Sequence, residues 1–181
     1  MAPGGAEGEG RVKGVAGPGL AAFLLLAACN GGVTAPVGRS PLPEEGGPAP
    51  TAAALERQTH DLVNQRRTAR ALPILRWDDR VAAIAREHSE AMATGRRGFG
   101  HDGFEGRAER VAGMLPVRSM AENVAYDSRT GPSLARLVVE GWIASAGHRQ
   151  NIEGDFTLTG IGAAAGRDGT RYFTQIFVKT E

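Results

Sequence analysis

Three stretches of the chain place apolar residues three or four positions apart, which is the period of an amphipathic helix. The first stretch carries Leu55, Leu62, Val63 and Ala69 on one stripe. The second follows Asp78 or Asp79, either of which is a good N-cap, and Gly95 is expected to end it. The predicted buried faces of the second and third helices consist of Val81, Ile84, Ala85, His88 and Met92, and of Leu134, Leu137, Val138, Trp142 and Ile143.

The segments between these helices have shorter patterns. "LPILRW" predicts an extended link that buries Leu72, Ile74 and Trp77, and "SMAENVAYD" predicts a short strand or link. The glycine-rich "RRGFGHDGFEGR" is expected to be an ordered loop without regular structure, and "AERVAGML" a short helix. Residues 130–133, Thr-Gly-Pro-Ser, predict a helix start with the proline in the first turn.

The C-terminal stretch predicts a β-hairpin. "LTGIGAAAG" and "TRYFTQIFVKT" flank "RDG", whose glycine suits a turn position with positive φ. Both faces of the second strand are largely apolar, which indicates a sheet covered on both sides. Helices followed by such a hairpin predict an α+β fold, a three-layer α-β-α sandwich with a small antiparallel sheet.

The first fifty residues resemble an export signal followed by a tether. Arg11 and Lys13 precede a short apolar run, Val15 to Ala28, which is shorter than the roughly 20 residues that span a bilayer. The run ends Leu-Ala-Ala-Cys and resembles a bacterial lipobox, whose cysteine is lipidated. We therefore predict a lipoprotein signal peptide at 1–28, lipidation at Cys29, a Pro/Gly-rich tether at 29–50 and a folded domain at 51–181.

The charge of the chain limits its possible partners, and its cysteine content limits its possible cross-links. The formal net charge is +1, and the arginines are scattered among 20 carboxylates, so no nucleic-acid partner is expected. Cys29 is the only cysteine, so an intramolecular disulfide is excluded and the core alone must hold the domain together.

Several polar residues stand where polarity needs an explanation. His101 lies in the glycine-rich loop, Glu122 and Asn123 lie between apolar residues, and His148 follows the third helix. Taken singly, a histidine after a glycine often caps a helix, and a Glu-Asn pair beside a strand often ties down a loop. Ser145 shares a face with His148 if the helix persists. A nucleophile–base pair is disfavoured, because no Gly-x-Ser-x-Gly turn is present.

The remaining histidines are assigned structural roles. His88, on the apolar face of the second helix, is predicted to be packed with one hydrogen bond, and His60 on the first helix is predicted to be solvated.

The order of the motifs resembles the CAP superfamily, the cysteine-rich secretory, antigen 5 and pathogenesis-related 1 proteins, in its disulfide-free bacterial branch. The motifs are His-Asp-Gly-Phe, Glu-Asn-Val-Ala, Trp-x-x-Ser-x-Gly-His-Arg-x-Asn-Ile, Gly-Ile-Gly and Tyr-Phe-Thr-Gln-Ile-Phe. Asn64 and Arg67 match the Asn-x-x-Arg of the family's first helix. The resemblance covers Thr51 to Lys179.

The resemblance implies an α-β-α sandwich with a cavity lined by two histidines and two acidic residues. Carried over by motif, His101 and His148 are the histidines, Glu122 is the first acid, and Asn123 supports it. The second acidic position falls at Ser145, and the usual glycine before Glu-Asn is Ala121. Two imidazoles and one carboxylate can hold Zn²⁺, with His101 and His148 as metal ligands. They can equally form a polar cluster without a reaction. The missing carboxylate predicts weak binding of zinc or another divalent cation.

These expectations favour a binding module over an enzyme. The predicted protein is exported and lipid-anchored to the bacterial cell envelope, on its periplasmic or extracellular face, and its CAP domain binds a lipid, a small hydrophobic molecule or a protein. The alternative is a metal-assisted hydrolase acting on peptide or cell-envelope substrates. The sequence names neither the ligand nor the membrane that carries the anchor.

Overall fold

The computed structural model describes residues 49–180. The predicted signal peptide, Cys29 and all but the last two residues of the predicted tether lie outside these described residues. The elements in chain order are α1 (Ala52–Thr68), β1 (Arg76–Trp77), α2 (Asp79–Ala93), α3 (Phe104–Ala112), β2 (Val117–Asp127), α4 (Leu134–Ala144), α5 (Ala146–Ile152), β3 (Leu158–Ala165) and β4 (Arg171–Thr180). Within this range no helix combines the length and apolar character needed to cross a membrane.

The four strands form one sheet in the order β1-β3-β4-β2. β3 and β4 are the predicted hairpin, and Gly169 adopts a φ of 86° in its turn. β2 pairs antiparallel with β4 along its length, whereas β1 pairs parallel with β3 at the opposite edge. Because side chains alternate along a strand, β4 presents Ile176 to one face and Phe177 to the other.

Two hydrophobic cores, one on each face of the sheet, give the molecule its three layers. Phe173 and Phe177 of β4 pack with residues of α1 and α4, including Leu55 and Trp142. On the other face the core is formed by Val81, Ile84, Ala85, Phe104, Val111, Met120, Leu158, Ile176 and Val178, which come from α2, α3 and the sheet. The α-β-α sandwich predicted from the sequence is therefore confirmed.

The "GIG" of β3 lets α2 lie directly on the sheet. A Cβ atom at Gly160 would clash with the backbone at Ala82, and one at Gly162 would clash with the backbone at Arg86. The two contacted positions are four residues apart on α2, so the helix runs along the strand. Any side chain at either glycine would push α2 away from β3 and open the core beneath it.

The edge strand β2 is covered by the two helices that follow it. Asn151 of α5 donates from Nδ2 to the Glu122 carbonyl at 3.3 Å, and Trp142 of α4 donates from Nε1 to the Val124 carbonyl at 3.1 Å. These side chains satisfy carbonyl groups that an edge strand would otherwise expose. The contacts also fix α4 and α5 against β2, which brings His148 towards the strand that carries Glu122.

Arg67 ties α1 to two loops. Its guanidinium, in a side chain that is almost fully buried, donates to the carbonyl oxygens of Pro73, Ile152, Gly154 and Phe156. Burial lowers the pKa of this group from its usual value. Asn64 bonds both the N–H and the carbonyl of Leu75, so the Asn-x-x-Arg motif of α1 positions the link to β1.

Three predicted boundaries were wrong. α3 begins at Phe104, inside the segment predicted to be an irregular loop, because Gly103 adopts a φ of 76° and starts the helix. The strand alternative for "SMAENVAYD" is confirmed, but the strand begins earlier than predicted, at Val117, and is eleven residues long. The third predicted helix ends at Ala144, where the extended Ser145 starts a new helix, so His148 lies within α5 and does not terminate a helix.

Three other predictions were also wrong. In the extended link Leu75 is fully buried and Ile74 is 59% exposed, because the alternation is shifted by one residue. Pro132 precedes the N-cap Ser133 and lies outside the first turn of α4. His60 is not solvated: its Nε2 lies 3.0 Å from the Leu75 carbonyl oxygen, and its ring packs edge-on against Trp77.

Candidate functional site

Glu122 lies at the centre of the candidate site. β2 places its side chain on the sheet face covered by α2 and α3, and only 2% of the residue is exposed. A buried carboxylate needs charged or hydrogen-bonding partners, because the loss of its hydration alone costs on the order of several kcal/mol. Two side chains supply those partners.

Arg107 of α3 holds the carboxylate in a fork. Its Nε donates to Glu122 Oε2 at 2.8 Å, and its Nη2 donates to Oε1 at 2.7 Å. The same guanidinium donates to the carbonyl oxygens of Asp102 and His101, at 2.9 and 3.3 Å. One buried arginine therefore neutralises Glu122 and fixes the loop that carries His101.

His101 approaches the same carboxylate from the loop before α3. Its Nδ1 lies 3.0 Å from Glu122 Oε1. Because an ionised carboxylate can only accept, Nδ1 carries a hydrogen, and Nε2 is the ring nitrogen that faces away from Glu122. That Nε2 atom is buried and makes no hydrogen bond to the described residues.

His148 is held against β2 by its main chain. Its carbonyl oxygen accepts from Asn123 Nδ2 at 3.1 Å, and Asn123 Oδ1 accepts from Asn151 at 2.9 Å. The ring is buried, and its Nε2 is a second buried nitrogen without a partner among the described residues. Burial lowers the pKa of His148, and the charge of His101 lowers it further, so the two imidazoles interact.

His88 is packed as predicted, with one hydrogen bond. Its Nε2 lies 2.9 Å from the Gly100 carbonyl oxygen and fixes the loop from α2's side. Burial lowers its pKa, and Arg107 adds to the lowering, whereas Glu122 opposes it. His88 is therefore an electrostatic neighbour of the Glu122–Arg107 pair.

Ser145 does not join this group. It lies in the break between α4 and α5, and its hydroxyl makes no hydrogen bond to any of residues 49–180. The condition under which Ser145 and His148 would share one helix face is not met, because α4 ends at Ala144 and Ser145 is extended. His101 therefore bonds to Glu122 and acts on His148 through its charge, whereas the Ser145 hydroxyl makes no hydrogen bond to any of these three residues.

The donor set does not suit a divalent cation. Within residues 49–180, no three His, Cys, Asp or Glu side chains are arranged to hold a metal ion. Both oxygens of Glu122 are bound by Arg107, whose positive charge would repel a cation beside it. His101 and His148 alone supply two ligands, fewer than the three protein ligands common in catalytic zinc sites.

A row of aromatic rings, two of them exposed, lies on the same side of the sheet. Tyr126 is on the same face of β2 as Glu122, about 13 Å further along the strand. It is 59% exposed, and it meets Phe99, two residues before His101, in an edge-to-face contact with the ring centroids 4.8 Å apart. Tyr172 of β4 lies beyond it, with its centroid 6.1 Å from that of Tyr126. These three rings form an aromatic row.

Sequence reasoning missed Arg107, Asn151 and the aromatic row. Arg107 had a recognisable signal, because it occupies the buried stripe of α3 between Phe104 and Val111, where an arginine requires a partner. Asn151 lies one turn after His148 on α5, and although it belongs to the Gly-His-Arg-x-Asn-Ile motif, the pattern of apolar residues does not predict its contact with β2.

Comparisons with known proteins agree with this fold. The family described as "CAP: Cysteine-rich secretory protein family" matches residues 60–177. An α-β-α sandwich with this motif order and this coverage defines the class. The chain belongs to the CAP family, and because the domain contains no cysteine, it is of the disulfide-free type.

Relatives and solved structures support the same fold. A Bacillus subtilis protein called "Uncharacterized membrane protein YlbC" is 34% identical over 130 residues, which are 68% of this chain and 34% of that protein. An extracellular SCP-domain protein from Bacillus anthracis is 30% identical, with a TM-score of 0.56 over 71% of this chain and 41% of its own. An outer surface protein from Borrelia burgdorferi, at 18% identity, has the same fold, with a TM-score of 0.57 over 70% of this chain and 93% of its own.

This chain thus spans about one third of the Bacillus subtilis relative and two fifths of the Bacillus anthracis structure.

Proposed function

We propose that this chain is an exported protein, tethered to the cell envelope by a lipid on Cys29, whose CAP domain binds an apolar ligand such as a lipid chain. The tether rests on the Leu-Ala-Ala-Cys sequence after a short apolar run. It is supported by two relatives, of which one is called a membrane protein and the other an extracellular protein.

The observation that supports ligand binding is the exposed aromatic row beside the His101–Glu122 pair. Phe99 and Tyr126 are 41% and 59% exposed although they pack against each other, so the pair leaves apolar surface in water. Such surface next to buried, unpartnered imidazole nitrogens is typical of a binding site, with apolar walls and a few polar groups that orient the ligand. An apolar chain lies along the aromatic row, and its polar end faces His101.

A metal-assisted hydrolase is the second candidate, and the two unpartnered Nε2 atoms of His101 and His148 favour it. It requires a third ligand or a free carboxylate to bind the cation and activate water. Glu122 is bound by Arg107 through both oxygens, so the binding module is the better account of the site.

Ligand binding is tested with palmitate on the full chain carrying Cys29→Ser, so that the protein's own lipid does not compete. Tyr126→Ala and Phe99→Ala should each weaken palmitate binding by roughly tenfold, since removing an aromatic contact costs about 1.4 kcal/mol. Ile74→Ala is the matched control, because Ile74 is also 59% exposed but lies in the link before β1. Equal affinities for all three variants and the parent would contradict the proposed site.

The anchor is tested separately by fractionating cells that express the wild-type chain or Cys29→Ser. The serine variant should move from the membrane to the soluble fraction, because a serine oxygen cannot form the thioether of a lipidated cysteine. If Cys29→Ser remains wholly in the membrane fraction, another segment or a partner holds the protein there.

A further inference from the structure

A basic cleft lies between α2, the loop at 95–103 and α3. Its volume is about 610 Å³, and its charged lining comes from Arg96, Arg97, Arg107, Arg110, Glu87 and Glu90. The cleft shares Arg107 with the Glu122 site. It is separate from the aromatic row.

The charges of the cleft do not cancel. Arg110 is bound by Glu87, with N–O distances of 2.6 and 2.9 Å, and Arg107 is bound by Glu122. Of the charged side chains that line the cleft, Arg96, Arg97 and Glu90 remain outside these pairs. Two positive charges and one negative charge give this remainder a net positive charge.

Arg97 is the arginine of this cleft whose guanidinium is available to a ligand. Its guanidinium lies over Gly103, where a Cβ atom would come within 3.0 Å of Nη1, and no side-chain hydrogen bond or ion pair joins it to the described residues. Arg96 is held through Nε by Thr94, which leaves its other N–H groups available. Two guanidinium groups therefore offer several N–H donors on one wall.

One residue that lines the cleft carries a buried polar atom without a partner in the described part of the chain. His88 lines it, is 3% exposed, and has an Nδ1 atom without a hydrogen-bond partner among residues 49–180. A buried polar atom normally has a partner, so an orphan beside a cavity marks a place for a ligand or for water. Burial lowers the pKa of this ring most, and the positive charges of Arg107 and Arg97 lower it further, whereas Glu122 opposes them.

We propose that this cleft binds a phosphate group, as a phosphoester or a lipid headgroup, with Arg97 as the main ligand and Arg96 beside it. Arginine forks match the oxygens of phosphate, and the several donors of two guanidinium groups suit its multiple oxygens. The proposal does not depend on the apolar ligand of the aromatic row, because a different set of residues carries it.

The first test titrates glycerol phosphate into the full chain and follows binding by NMR. Arg97→Gln should weaken binding at least about tenfold, the loss expected for one charge-assisted hydrogen bond. Arg57→Gln is the matched control, since Arg57 is an exposed arginine of α1 on the opposite face of the sheet. Absence of saturable binding to the wild-type protein, or equal binding by Arg97→Gln, would overturn the proposal.

The second test changes the cleft without removing an arginine. A Cβ at Gly106 meets no atom within 4 Å, so Gly106→Glu adds a negative charge in open space and improves the helix propensity of α3. It should lower phosphate affinity about tenfold or more, whereas Gly106→Gln, of the same size, should lower it far less. Gly141→Glu on α4, which is equally open, should leave affinity unchanged. Unchanged binding by Gly106→Glu would count against the site.

A vesicle arm distinguishes the two sources of phosphate. The Cys29→Ser chain is mixed with vesicles of phosphatidylcholine alone or with added phosphatidylglycerol. Binding that requires phosphatidylglycerol and is lost in Arg97→Gln supports a lipid headgroup, and binding to glycerol phosphate without vesicle binding supports a soluble phosphoester. Vesicle binding that Arg97→Gln leaves intact overturns a role for this cleft at the membrane.

Discussion

Two buried glutamates in this domain are held in the same way and serve different ends. Glu56 of α1 and Glu122 of β2 are 3% and 2% exposed, and each forms a salt bridge with an arginine from a neighbouring helix. Arg86 binds Glu56 through Nε and Nη2 at 2.9 and 2.8 Å, much as Arg107 binds Glu122.

The difference lies in the third partner of each carboxylate. Glu56 accepts the backbone N–H of Ala163 at 3.1 Å, so it joins α1, α2 and β3 and leaves nothing unsatisfied. Glu122 accepts instead from His101, whose second ring nitrogen is buried and unpartnered among the described residues. A buried Glu–Arg pair alone is therefore weak evidence for a functional site. A buried polar atom without a partner next to the pair, such as His101 Nε2, is stronger evidence.

The largest expected effect is a difference in stability between variants of the two Glu–Arg pairs. Glu122→Ala leaves Arg107 buried without its counter-charge and should lower the free energy of unfolding by about 3–5 kcal/mol. Glu56→Ala should cost less, roughly 1–3 kcal/mol, because the Arg86 side chain is 39% exposed and can turn to water. Urea unfolding of both variants measures the difference, and the opposite order would break the comparison.

Lowering the pH should sharpen the contrast between the Glu122 site and the Glu56 pair. The pKa values of His88 and His148 are both below the usual value for histidine, so the folded state binds fewer protons than the unfolded state just below about pH 6.5. Stability should therefore be present above that pH and fall as the pH decreases through the folded-state pKa values. His148→Gln should flatten the decline between about pH 7 and pH 5, whereas Glu56→Gln should leave its slope in that window unchanged. A decline of equal slope in wild type and His148→Gln would contradict this.

The smallest effect concerns one imidazole acting on another. His101 lowers the pKa of His148 through its charge, so His101→Gln should raise that pKa towards the usual histidine value, although burial continues to hold it down. Histidine titration by NMR measures the change, and Glu56→Gln is the control that should leave His148 unaffected. An unchanged His148 titration would mean that the two histidines do not belong to one electrostatic group.

Sequence patterns predicted the layers better than the site. The stripe of α2, the buried Trp142 and the hairpin of β3 and β4 follow from apolar periodicity, and the structure has all of them. The Glu56–Arg86 pair and the Glu122–Arg107 pair are invisible to that pattern, because each joins residues far apart in the chain. The same holds for Asn151, whose bond to the Glu122 carbonyl forms only after α5 packs on β2.

Local errors had local causes. No proline or glycine stands directly before Ser145, and Gly141 lies inside α4, so these residues do not mark where α4 ends. The glycines of the loop at 95–103 concealed the start of α3, and with it the buried stripe on which Arg107 lies. The predicted signal peptide, tether and lipidated Cys29 remain predictions.

The central claim is that Arg107 occupies the Glu122 carboxylate and so prevents metal binding. A titration of Zn²⁺ into the full chain tests it most directly, with the ring signals of His101 and His148 followed by NMR at neutral pH. Because the guanidinium repels a cation and only two imidazoles remain as ligands, we predict binding that is weak or absent. Stoichiometric, sub-micromolar binding that shifts both rings would contradict this account and would favour the metal-assisted hydrolase.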